Sequence, residues 1–215
     1  MEIKEIAHIL ASFIIFTLIA SAAPLYNQDW NSLAYIAMFC AIILVVSIAA
    51  KKLMAYMLDS DIEHEIWRVS RFGYRAHHHV NSYIPEGIPA GIIAPLLIGF
   101  FSLGIAKFPA FLTFETKALT QRASKRFGPR SFVEMTDWHN GIIGSAGIIA
   151  VLIVSFIAYF PGAEYLAKLA AYYAFANMLP ISKLDGTQIF FGSRVLYSIL
   201  AVITLIFFAY AILLI

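Results

Sequence analysis

The chain has 215 residues, of which 61% are hydrophobic and 13% charged, against about half apolar and a quarter charged in soluble domains. A soluble fold cannot hide that much apolar surface, and a net charge of +2 with basic residues confined to interhelical loops argues against a nucleic-acid-binding face. The one cysteine, Cys40, lies in an apolar run, excludes an intrachain disulfide and reads as a small buried hydrophobe.

In chain order, runs long enough to cross a bilayer of about 20 residues' helical length occur at Ile6 to Ala23, Ser32 to Ala50, Gly141 to Tyr159 and Val195 to Ile215. The first run ends in Ala20, Ser21 and Ala22, small residues like those at secretory cleavage sites, but Glu2 and Glu5 make its start unlike a signal peptide. A shorter apolar stretch, Tyr165 to Pro180, carries Lys168. A sixth segment, Gly91 to Phe114, is broken by Pro95, Pro109, Gly99 and Gly104, a density that spans rarely tolerate.

The basic residues separate the topologies. If Gly91 to Phe114 dips in and returns, one face holds Lys4, Lys51, Lys52, Arg68, Arg71, Arg75, Lys107, Lys117, Arg122, Lys125, Arg126, Arg130, Lys183 and Arg194, leaving only Lys168. If it crosses, the basic residues divide almost evenly, against the tendency of Lys and Arg to stay cytoplasmic. The expected fold is therefore an all-α polytopic membrane protein with about five transmembrane helices and a re-entrant or sixth apolar segment. It forms a single membrane-embedded domain over 1–215, with a core over 32–190 and basic loops over 51–90 and 115–140. The N-terminus and both loops are expected on the cytoplasmic face and the C-terminus outside. Tyr26, Trp30, Tyr159 and Tyr165 mark the opposite interface, as an aromatic belt does. This topology brings Ser47, Lys51 and Asp185 towards one depth.

The most specific motif runs from Asn177 to Gly186, with Pro180, Leu184 and Asp185 between them. It resembles the N-x-x-P-x-x-x-L-D-G signature of the site-2 protease family of intramembrane zinc metalloproteases. Ala146, Gly147 and Ile148 are similar to the family's A-G-P segment, with Ile148 in place of proline. The resemblance implies a re-entrant segment after the second span and a zinc site made by H-E-x-x-H on that span together with the aspartate of L-D-G. Histidines at i and i+4 share a helix face, and the glutamate acts as general base. Here Ser47, Ile48 and Lys51 occupy those positions, with Lys52 after them. A second register, Asp61 to Glu65, also lacks the paired histidines. No catalytic residue of the family is intact.

Asp185 alone cannot hold catalytic zinc, which takes three protein ligands. A strand would put His77 and His79 on one side, which makes them the metal candidates with Asp185; the plainer reading is a polar interfacial loop. His64 and Glu65 match half a zinc motif, with Arg68 where the second histidine belongs. His139 reads as an interfacial or helix-capping residue, and His8 as a polar contact to a neighbouring helix. For Asp185 two roles compete: its carboxylate caps the helix that starts there, or it pairs with Lys51, whose ammonium then takes over part of a lost metal's electrostatic role.

The expected function is a catalytically degenerate site-2-protease-like protein that binds or retains membrane-protein helices without cleaving them. No cofactor is expected, and the partners are the lipid bilayer and transmembrane helices. The alternatives are an active zinc metalloprotease with atypical ligands, and a structural subunit docking through the basic loop Lys117 to Arg130.

Overall fold

A computed structural model describes residues 3–22, 30–71, 83–102, 107–119 and 135–213. Helix α1 (Ile3–Ala20) is an apolar run whose hydroxyls turn back on the helix: Ser12 donates to the His8 carbonyl and Thr17 to that of Phe13, which spares them a partner in apolar surroundings. Helix α2 (Trp30–Met57) is long enough to outrun a bilayer core of about 30 Å, so its last turns, with Lys51 and Lys52, lie towards one end. Asp59 in the left-handed region (φ 53°) then turns the chain into a strand.

An all-helical expectation fails from this point. Four strands form two antiparallel pairs among the described residues: β1 (Ser60–Ile66) with β4 (Leu112–Ala118), and β2 (Val69–Arg71) with β3 (Tyr83–Ile88). In β1 the alternation of Ile62 and His64, both buried, with more exposed neighbours is the period of two that marks a strand. The register Asp61 to Glu65 is therefore extended, and its side chains alternate instead of sharing a helix face. The helix between the pairs, α3 (Ala90–Phe101), starts after Pro89 and contains Pro95.

The pairing of Ser60 with Ala118 returns the chain to where α2 ended. Thr116 in β4 then donates to Asn140 in the first turns of α4 (Asp137–Tyr159). The end of α2 and the start of α4 thus lie at the same end of the bundle, and the stretch between them goes out and comes back. Its irregular part is buried against protein, with Ala110 and Phe111 both closed to solvent, as backbone without regular pairing requires in an apolar setting.

After α4 the chain turns at Gly162 (φ 78°) into α5 (Glu164–Met178), followed by α6 (Asp185–Gly192) and α7 (Arg194–Leu213). Among the described residues four helices are long and apolar enough to cross a membrane: Ile3–Ala20, Ser32–Met57, Asp137–Tyr159 and Arg194–Leu213. The fifth expected span falls short, because α5 has 15 residues and ends at Leu179, whose extended conformation (ψ 133°) is what the following Pro180 demands. Around α5 sits the largest core cluster, with Phe16, Cys40, Ile43, Phe111, Ile148 and Tyr173.

Candidate functional site

Three local features aim Asp185 inward. Pro180 ends α5, Ser182 turns the chain through the left-handed region (φ 54°), and Leu184, fully buried beside Trp67, Ala110 and Ala176, anchors the new helix. Gly186 lets α6 start against the end of α5: a Cβ there would lie 2.0 Å from the Met178 carbonyl oxygen. Asn177 donates its side-chain N–H groups to the carbonyls of Tyr173 (2.9 Å) and Pro109 (3.2 Å), tying α5 to the returning segment. Each position of the motif thus has a geometric task in placing one carboxylate.

That carboxylate meets Lys51. Nζ lies 2.6 Å from Asp185 Oδ2, with the side chains 2% and 1% exposed. Neither oxygen of the Asp185 carboxylate accepts a backbone amide of α6, so the pairing and not the cap accounts for Asp185. The Lys51 ammonium also lies over the Phe114 ring, 5.2 Å from its centroid, an arrangement that stabilises a desolvated cation. Its stem runs against Gly147, where a Cβ would come within 2.4 Å of Cε, so the glycine of the Ala146–Ile148 segment makes room for a lysine. Ser47, one turn earlier on α2, is buried and accepts a hydrogen bond from the Tyr173 hydroxyl at 3.4 Å. Ile48 is buried in the core beside it.

Burial raises the Asp185 pKa, and Lys51 draws it back down. Oδ1 of Asp185 has no donor in hydrogen-bond range. The donor set does not suit zinc. Ile48 offers no ligand atom, Lys51 offers a cation, and Asp185 is the single anionic ligand where catalytic zinc needs three protein ligands. Among the described residues no three His, Cys, Asp or Glu side chains converge. His77 and His79 lie outside the described residues.

The remaining histidines have other places. His64 Nδ1 lies 3.1 Å from Glu5 Oε1, which also accepts from Lys52 Nζ at 2.8 Å. Burial and then the Lys51 charge push the His64 pKa down to about 4, against the pull of Glu5, so His64 is neutral at pH 7 and its contact with Glu5 is a hydrogen bond, not an ion pair. His139 Nδ1 accepts from the Thr136 backbone N–H at 3.4 Å and sits 2.7 Å from its hydroxyl, at the start of α4. His8 Nδ1 is buried without a partner. Sequence reasoning missed Phe114, Tyr173 and the Glu5 cluster. The spacing of Tyr173 and Asn177, one turn apart on α5, was the available signal for the second of these.

Compared with known protein families, curated proteins and solved structures, the chain matches none.

Proposed function

We propose that this chain is a catalytically degenerate relative of the site-2 proteases, which retains a scaffold for membrane-protein helices and does not hydrolyse them. The reading rests on the resemblance of residues 177–186 to the family signature. The observation that carries it is the Lys51–Asp185 pair: the aspartate of the motif is met by an ammonium from the helix that, in the family, supplies the histidines. An ammonium in contact with that carboxylate supplies positive charge without any open coordination position, so it neutralises the aspartate but cannot activate water as a Lewis acid does. With Ile48 where the general base belongs, proton abstraction has no agent either.

The membrane orientation belongs to the same proposal: N-terminus cytoplasmic, the segment 91–114 re-entrant, C-terminus outside, and the strand-bearing end with Lys51, Lys52, Lys117 and Lys183 at the cytoplasmic face. The return of the chain from Ser60 to Ala118 supports it, as does the preference of basic residues for that side. Lys107 departs from the charge count, since its ammonium reaches Tyr165 at the start of α5.

The test is purified full-length protein in detergent, assayed for zinc by elemental analysis and for cleavage of a panel of single-span helices. The expected results are sub-stoichiometric zinc, no chelator-sensitive cleavage, and photo-crosslinking from residues near Lys51 to a subset of those helices. Stoichiometric zinc with cleavage would establish the active protease instead, and absence of any crosslink would remove the helix-binding role.

A further inference from the structure

At the end of the bundle away from Lys51, α4, α5 and α7 enclose a cavity of about 300 Å³. Ser155 and Ala167 form part of its wall, and the one hydroxyl among them is already spent, since Ser155 donates to the Ala167 carbonyl at 2.8 Å. Small side chains at Ala167 and Ala211, 3% and 2% exposed, leave the space that Phe207 and Ile206 do not fill. The walls are therefore methyl groups and rings. Such a cavity gives water no hydrogen-bond partners and stays dry, whereas an apolar ligand gains dispersion contacts with every wall.

The mouth decides what reaches it. Phe156 and Ile206 line the cavity and are still 56% and 61% exposed, and they stand on α4 and α7, two of the helices long and apolar enough to cross a membrane. The cavity is thus continuous with the surface that those helices turn towards bilayer chains, not with a water-facing one. Its size selects among apolar occupants. An α-helix with its side chains is about 10–12 Å across, too thick to enter. A methylene group takes roughly the 30 Å³ of a water molecule in the liquid, so on the order of ten of them in a row fit. One end is marked by Tyr159, the last residue of α4, whose ring meets that of Tyr210 edge to face at 5.4 Å. Tyrosines at the end of a span sit at headgroup level, where their hydroxyls donate to ester carbonyls.

We propose that this cleft binds a single acyl chain of a membrane lipid, with the chain between α4, α5 and α7 and its ester end at Tyr159 and Tyr210. The proposal rests on the membrane placement of α4 and α7 and is independent of the function proposed for the Lys51–Asp185 pair, so zinc or cleavage found there leaves it standing.

Full-length protein would be placed in nanodiscs of dioleoyl phosphatidylcholine doped with a phosphatidylcholine that carries a diazirine midway along one acyl chain, illuminated, and its labelled residues mapped by mass spectrometry. Phe156, Ile206 and Phe207 are expected to be labelled about 10-fold more densely than Leu10 and Ile14 of α1, which are exposed apolar residues outside the lining. Ala211→Leu and Ala167→Leu each put a larger side chain into the cavity, so each should bring that labelling down to the level of α1 and should raise the thermal midpoint in lipid-free detergent. The two substitutions stand on different helices, and the wild-type pattern decides where neither variant folds. Equal labelling of the cleft and of α1, or a pattern unchanged in a folded filled variant, would overturn the proposal. Labelling present in nanodiscs that hold one copy and lost in those that hold two would assign the cleft to a second copy of the chain and overturn it as well.

Discussion

Nζ of Lys51 and Oδ2 of Asp185 stand 2.6 Å apart with both side chains closed to solvent, so each charge is tolerable only because the other is present. Removing one partner from such a buried pair costs about 3–5 kcal/mol, whereas replacing both with apolar groups is often close to neutral. Lys51→Met and Asp185→Leu are each expected to destabilise the protein by about that amount. The double variant should recover to within ~1 kcal/mol of wild type. Unfolding in detergent of all four proteins measures the coupling; additive losses would show that the two side chains do not depend on each other.

Glycine positions around this pair should respond according to what a methyl group would meet. At Gly186 the obstacle is the Met178 backbone carbonyl at 2.0 Å, which cannot move without breaking the turn. Gly186→Ala is expected to cost more than about 3 kcal/mol or to prevent folding. At Gly144 the nearest atom is the Ile189 side chain at 3.4 Å, an ordinary contact. Gly144→Ala should therefore change stability by less than ~1 kcal/mol, and similar losses at the two sites would contradict the packing described.

Acid should weaken the protein through His64. Its folded pKa is depressed to about 4 from an ordinary 6.5, so the unfolded chain takes up a proton first as pH falls. The stability associated with neutral His64 is complete above pH ~6.5 and is lost on descending towards pH ~4. Between pH 7 and 5 the loss is about 2 kcal/mol. His64→Leu should flatten the stability profile over that interval, and an unchanged slope would show that another group titrates there.

Asn177 offers a test of hydrogen-bond direction. Both of its side-chain bonds are donated, to the carbonyls of Tyr173 and Pro109. A carboxylate cannot donate, and it would set a negative charge against two carbonyl oxygens. Asn177→Asp should thus be worse than Asn177→Ala, which is expected to cost about 1–3 kcal/mol. The reverse order in thermal unfolding would mean that the amide does not bridge α5 to the returning segment.

The long helices were legible because twenty-odd apolar residues have few other ways to satisfy their backbone, and the convergence of Ser47, Lys51 and Asp185 followed from helix direction alone. The motif at 177–186 was legible as a string, but the tasks of its members were not. That Gly186 accommodates a carbonyl of the preceding helix, or that Gly147 faces a lysine stem, depends on packing between segments distant in sequence. The strands were missed for a related reason. In β1, Glu63 and Glu65 alternate with Ile62 and His64, and a buried histidine hides the apolar period of two that announces a strand. Lys107 was misplaced because its position in sequence, among loop residues, says nothing about how far its side chain reaches.

The pairing of β1 with β4 also sets an order of assembly. At ~5–20 residues per second of synthesis, β1 emerges on the order of seconds before its partner strand exists, and in that interval its backbone groups face the bundle unpaired. Glu5 is already present by then, and its carboxylate accepts from the His64 backbone N–H at 3.4 Å as well as from its ring. The first helix thus has a hold on β1 that does not depend on β4, so the strand is tied to the bundle from both of its sides.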